Sequence, residues 1–292
     1  MNSLVKNTKR QVRESFDLGR ACLLPYTIRR HQSAGETGLS RIVVILSYPR
    51  SGTTMFGSII EKFSGRGVKY YGELFGAYSS SREIRNITVE YPLFGLRYLQ
   101  IFLRQRKSGS QHPFAFEEAG VDINRVFRAM AQTPGIHVVK IFPRHVRWDT
   151  LEEVFRTIRP HVVFIRRNHR ERYVSLERAK ASGKWARQGY GEQTVEINEA
   201  ELTQFQVATE RWYREAKNTV CKLNLDCDDV DYRELLDPMA IRELMSHVTQ
   251  IPADLFGSDE LRPSTTKQGR DEPQESFQFA IHPCCHEDGS DA

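Results

Sequence analysis

Arg50, Gly52 and the hydroxyls of Ser51, Thr53 and Thr54 fall within five consecutive residues of the stretch Ser47-Tyr-Pro-Arg-Ser-Gly-Thr-Thr54. Directly before it, Arg41-Ile-Val-Val-Ile-Leu-Ser47 is a β-branched apolar run that reads as a buried parallel strand. Directly after it, Thr54 to Phe63 carries apolar residues at helical spacing. A loop between a strand and a helix aims backbone N–H groups and the positive end of the helix dipole at an anion. Gly52 permits close backbone approach, the hydroxyls donate, and Arg50 adds a fixed charge. The plainer alternative is a polar strand-to-helix turn with a threonine cap. The segment lacks the first glycine and the lysine of G-x-x-x-x-G-K-[ST], and it has no Gly-x-Gly-x-x-Gly. The anion expected is therefore neither a Mg-nucleotide triphosphate nor a dinucleotide.

Positioning that loop requires a sheet, and the rest of the chain supplies one. Strands are predicted at Val68–Tyr71, Ile136–Phe142, His161–Ile165 and over 225–231. Helices are predicted at Asp149–Ile158, Glu171–Ala181, over 196–219, and from Pro238 to Val248. Strands alternating with helices imply an α/β protein with a parallel sheet and ligands beyond the carboxyl ends of its strands. Residues 78–135 are read as helical with loosely defined boundaries, and residues 1–40 as one basic helix (about 8–24) and a polar loop. No internal repeat or linker divides the 292 residues, so a single main domain is expected.

Composition excludes several function classes. No run approaches the roughly 20 apolar residues of a membrane-spanning helix. Forty-two Lys and Arg against 37 Asp and Glu leave a charge of +5, enough to suit an anionic ligand and too little for bulk nucleic-acid binding. The N-terminus carries Lys6, Lys9, Arg10 and Arg13 without an apolar h-region, and the five cysteines follow no disulfide spacing. Both readings favour a cytoplasmic protein.

Tyr48-Pro-Arg-Ser-Gly-Thr-Thr54 resembles the 5′-phosphosulfate loop of sulfotransferases that use PAPS (3′-phosphoadenosine 5′-phosphosulfate), although the cytosolic eukaryotic members usually have Lys where Arg50 stands. His161-Val-Val-Phe-Ile-Arg-Arg-Asn-His-Arg-Glu-Arg-Tyr-Val-Ser175 resembles the family's second motif, a strand followed by Arg-Asn and a Ser eight positions beyond the Arg. The resemblance implies a P-loop-like three-layer fold with a central parallel sheet flanked by helices. It implies PAPS as co-substrate, no metal, and a 3′-phosphate held by Arg167 and Ser175, which lie about two helical turns apart. The alternative for Arg166, Arg167, Arg170 and Arg172 is a solvated basic face. Ser175-Leu-Glu-Arg-Ala-Lys-Ala-Ser-Gly-Lys-Trp185 is similar to bacterial carbohydrate sulfotransferases of the trehalose type. That branch implies a hydroxyl of a carbohydrate or glycolipid as acceptor.

In-line sulfuryl transfer needs a base for the acceptor proton, cations at the transferring group and a clamp on the leaving nucleotide. Arg50 and the amides of residues 51–54 would serve the second need. Glu73, in Tyr-Gly-Glu-Leu-Phe75, resembles the bacterial branch's proposed base; its alternative is a surface carboxylate at a helix start. Lys140 matches a family strand Lys, but Phe142 stands where the cytosolic enzymes carry their catalytic His, and His145 is the nearby substitute. Lys267 and Arg270 occupy the place of the family's basic segment over the nucleotide, as 3′-phosphate contacts or as a mobile basic loop. Domain organisation follows: a basic N-terminal segment over 1–40, the sulfotransferase domain over 41–256 with a helical acceptor-binding insertion over 78–135, and an irregular segment over 257–292. His282-Pro-Cys-Cys-His286 has the wrong spacing for zinc. The stripe Tyr91, Phe94, Tyr98, Phe102 reads as core or groove wall. Other readings left open are a nucleotide-dependent kinase, a non-catalytic binding protein for the bisphosphate PAP, and peripheral membrane contact by the N-terminal helix. The oligomeric state is also open.

Overall fold

The computed structural model describes residue 17 and residues 40–79, 81–108, 112–182, 194–257 and 260–262. Apart from Asp17, the helix expected over 8–24 lies outside the described residues, as do Trp185, Lys267, Arg270 and the tail His282–His286. In chain order the elements are β1 (Ser40–Ser47), α1 (Thr53–Ile60), β2 (Val68–Gly72), α2 (Ser81–Glu90), α3 (Pro92–Ser108), α4 (Ala115–Glu118), α5 (Ile123–Ala131) and β3 (Gly135–Ile141). Then follow α6 (Trp148–Ile158), β4 (His161–Arg166), α7 (His169–Ser182), α8 (Glu199–Lys222), β5 (Cys227–Asp231) and α9 (Pro238–Thr249).

The five strands form one all-parallel sheet in the order β2-β3-β1-β4-β5, flanked by helices, so the α/β fold expected from the sequence is the fold observed. Val43, Val44, Ile45 and Leu46 of β1 and Val162 to Ile165 of β4 are fully buried, which is why those strands read as continuous apolar runs. Helix starts follow their caps. Asn198 accepts from the N–H groups of Ala200 and Glu201, so α8 begins at Glu199 rather than at 196. Asp237 caps α9 with Pro238 in its first turn.

The chain forms two compact units: residues up to Val44 with Arg66–Pro160, and Ile45–Gly65 with His161 onward. The first is cored by aromatics. Phe75, Phe94, Tyr98, Phe116 and Phe127 are buried, with Phe116 within 6 Å of Phe75, Phe94 and Tyr98 (5.7, 5.9 and 5.8 Å between ring centres). The Tyr91-Phe94-Tyr98 part of the helical stripe is thus core. In the second unit, Phe63 meets Phe256 edge to face at 5.2 Å, and Phe164 packs on Tyr213.

Candidate active site

In the second unit, the loop after β1 carries the parts an anion site needs. The Ser47 hydroxyl donates to the Ile165 carbonyl at 2.7 Å, tying the end of β1 to the end of β4. The backbone then turns through left-handed Arg50 (φ 73°) and Gly52 (φ 90°) into α1, whose N-terminus no side chain of the described residues caps. A Cβ at Gly52 would stand 2.3 Å from the ring of Tyr232, so both the positive φ and the close approach demand glycine. Thr53 is buried and Thr54 exposed.

Arg167, at the end of β4, and Ser175, in α7, meet this loop as their spacing predicts. The Arg50 Nε donates to the Ser175 Oγ at 3.1 Å, and the Arg167 Nη1 donates to the Arg50 carbonyl at 3.3 Å. Burial, and then the charge of Arg167, hold the Arg50 guanidinium below its ordinary pKa. Two cations crowded against each other favour an incoming anion. Glu171 is the acid present; it pairs with the Arg167 Nε at 3.0 Å and with Arg233 at 3.8 Å. Tyr232 completes the layer, its ring 4.4 Å beneath the Arg167 guanidinium. Tyr232 belongs to neither of the two sequence motifs. A tyrosine directly after the last strand was the available signal, but only the fold stacks it on Arg167 and against Gly52. A multiply charged phosphate-type anion fits this set, because the uncapped helix start, the cradle at Gly52 and both guanidiniums all serve negative oxygens.

The basic face of the second motif divides. Arg166 pairs with Asp229 and Arg170 with Glu199 near the surface, as a solvated face would. Arg172 is fully buried. Its guanidinium lies between the rings of Tyr48, at 4.5 Å, and Phe205, at 4.2 Å, and Nη2 donates to the Thr209 hydroxyl. Its Nε and Nη1 have no partner among the described residues, and burial lowers its pKa to about 10. Sequence alone could not separate Arg172 from its exposed neighbours, because every arginine there carries the same pattern.

In the first unit, the pairing of β2 with β3 shifts register between Tyr70 and Gly72, a bulge that turns the chain just before Glu73. Gly72 adopts φ 57°, and the Glu73 carbonyl accepts from the N–H groups of Gly76 and Tyr78, both at 3.0 Å. The Glu73 carboxylate pairs with the buried Lys140 Nζ at 2.9 Å while its own side chain stays 23% exposed. His145 is buried, and its Nδ1 accepts from the Phe142 N–H at 3.2 Å, which assigns the proton to Nε2. Burial, aided by Lys140 and opposed by Glu73, lowers its pKa to about 4. The structure thus joins Arg50, Arg167 and Ser175 in one unit, and Glu73 and Lys140 in the other. Among the described residues no group of three or more His, Cys, Asp or Glu is disposed to hold a metal.

No curated protein matches the chain. Residues 40–223, from the start of β1 to just past α8, match the sulfotransferase domain. That span is more than half of the chain and includes the loop after β1, the turn from β4 into α7, Glu73 and Lys140. The chain therefore belongs to the sulfotransferase domain family, enzymes of sulfuryl transfer whose usual donor is PAPS.

Proposed function

We propose that this sulfotransferase moves the sulfuryl group of PAPS to a hydroxyl of a carbohydrate or glycolipid in the cytoplasm, as bacterial enzymes of the trehalose type do, with Glu73 as the base. PAPS supplies the activated sulfuryl group. Arg50, the N–H groups of residues 51–54 and the hydroxyls of Ser51, Thr53 and Thr54 hold the anionic oxygens of that group and of the adjoining phosphate. Arg167 and Ser175 clamp the 3′-phosphate, with Lys267 and Arg270 adding contacts from the C-terminal segment. Glu73 takes the acceptor proton as the new oxygen–sulfur bond forms and the bond from sulfur to the phosphate oxygen breaks, leaving PAP. Lys140, paired with the Glu73 carboxylate at 2.9 Å, orients it toward the acceptor.

The observation that carries this reading is the joined set Arg50, Ser175 and Arg167, two cations and a hydroxyl from the loop after β1, helix α7 and the end of β4. Glu73 is preferred to His145 because the Nδ1 lone pair of the His145 ring is already engaged by the Phe142 N–H and the ring is buried, whereas the Glu73 side chain is 23% exposed. Glu73→Gln is expected to bind PAP like the wild type by calorimetry and to lose at least about a hundredfold in kcat. Arg167→Ala and Ser175→Ala are expected to weaken PAP binding. Wild-type turnover by Glu73→Gln would refute the base assignment. Labelled PAPS incubated with fractionated cell glycans and lipids, read by mass spectrometry, identifies the acceptor; label on proteins alone would refute the acceptor class.

A further inference from the structure

Helix α3 carries a two-sided design that the transfer reaction does not use. Its inner side, Phe94, Tyr98 and Ile101, is buried in the aromatic core of its unit. Its outer side exposes Leu93, Leu96 and Leu103 at 60%, 42% and 50%, where a soluble helix would place polar residues. At about 100° per residue, Leu96, Leu99 and Leu103 fall within about 60° of one another and form an apolar ridge. The same wheel puts Arg106 on one flank of the ridge and Lys107, Arg104 and Arg97 on the other. The helix holds no Asp or Glu in its 17 residues.

Beside the ridge, a cleft of about 320 Å³ opens between α3 and α4. Arg97, Gln100, Arg104 and His112 line it, with Glu118 as its one carboxylate, itself 3.9 Å from the Arg147 guanidinium. Gln105, which also lines the cleft, is nine-tenths buried and its Nε2 has no hydrogen-bond partner among the described residues. Tyr78, 60% exposed, sits close enough to Arg106 for that charge to act on its phenol. Exposed leucines flanked by cations and a tyrosine match the boundary between lipid headgroups and acyl chains.

We propose that the outer face of α3 docks this protein on an anionic phospholipid surface. The leucine ridge enters the headgroup–acyl boundary, the flanking cations meet lipid phosphates, and the Arg97–Arg104 cleft receives a headgroup. Charge selects this occupant. A second copy docking through the same face would set four cations against four, whereas an anionic bilayer complements them and accepts the leucines. The inference goes beyond the sulfuryl-transfer reading and does not depend on it.

The test is co-sedimentation of the full chain with vesicles of phosphatidylcholine alone and of phosphatidylcholine with phosphatidylserine. Binding to the anionic vesicles is expected to be at least about tenfold stronger and to weaken with salt. Leu96→Ser with Leu103→Ser, and separately Arg97→Glu with Arg104→Glu, should each lower the partition coefficient about tenfold or more. These side chains are at the surface, so both variants should keep the wild-type melting temperature, which the same preparations check. Wild-type protein that ignores anionic vesicles overturns the proposal. So do folded variants that bind as well as the wild type, since binding would then come from other basic segments. A dimer seen by light scattering without vesicles and abolished by the leucine substitutions also overturns it, in favour of a second copy.

Discussion

Arg172 carries a full positive charge inside the second unit, paired with two aromatic faces and one hydroxyl rather than with a carboxylate. Tyr48, one of those faces, lies two residues before Arg50 in the loop after β1. A buried unit charge is worth on the order of 1–2 kcal/mol to an anion about 10 Å away. Arg172→Met keeps much of the volume and loses the charge; Arg172→Lys keeps the charge. PAP affinity measured by calorimetry is therefore expected to fall roughly tenfold in Arg172→Met and much less in Arg172→Lys. A purely structural residue would instead lower the melting temperature of both and leave affinity unchanged. At this scale the sequence was least discriminating. Arg167 and Arg172 are written in the same letter, five residues apart, and only packing turns one toward the loop and seals the other between rings.

The strand–loop–helix from β1 to α1 shows what an element adds to its residues. Its turn works because position 52 has neither a side chain nor a preference for negative φ. Gly52→Ala should cost about 1–2 kcal/mol for the left-handed backbone alone. It should also displace Tyr232 and with it the surface that supports Arg167. A melting temperature lowered by several degrees and weakened PAP binding are the expected results. Adding Tyr232→Ala should recover part of the melting loss, because it removes the clash but not the backbone strain. If the double variant melts below the single one, the close approach at Gly52 is not what constrains the turn. The β2 bulge is the counterpart in the other unit: a register shift at Tyr70 and Gly72 turns Glu73 toward Lys140. Alternation of side chains along a strand predicts which residues are buried, but a bulge is set by pairing, so it left no mark in the local pattern.

Across the whole molecule, two buried histidines make stability depend on pH. His137 is fully buried, its Nδ1 accepting from the Tyr71 hydroxyl at 3.0 Å and its Nε2 donating to the Thr133 carbonyl at 2.7 Å, and burial lowers its pKa to about 4. His145 is lowered to about the same value. Both folded values lie below the unfolded value of about 6.5. The stability owed to the neutral rings is therefore complete above that pH and is lost as pH falls through the window toward 4. Each ring accounts for roughly 3 kcal/mol across that window. Thermal melting should drop steeply between pH 6.5 and 4.5, and His137→Gln, which can keep both hydrogen bonds without titrating, should flatten the drop. An equal slope in the variant would assign the acid sensitivity elsewhere. The fold itself was largely legible beforehand. Apolar runs bounded by turns announced β1, β3 and β4, helical spacing announced the helices around them, and two motifs at strand ends picked out the loop after β1 and the turn from β4 into α7, whereas β2 and β5 are mixed in polarity. Those signals are local, and local sequence carries them because a buried parallel strand must be apolar throughout and a loop against an anion must be small and polar. What only the tertiary structure decided were the partnerships: Arg50 with Ser175, Glu73 with Lys140, Tyr232 under Arg167, Arg172 between two rings, and leucines left outside on α3. These join residues far apart in the chain or depend on which face of a helix is covered, and no local pattern encodes either.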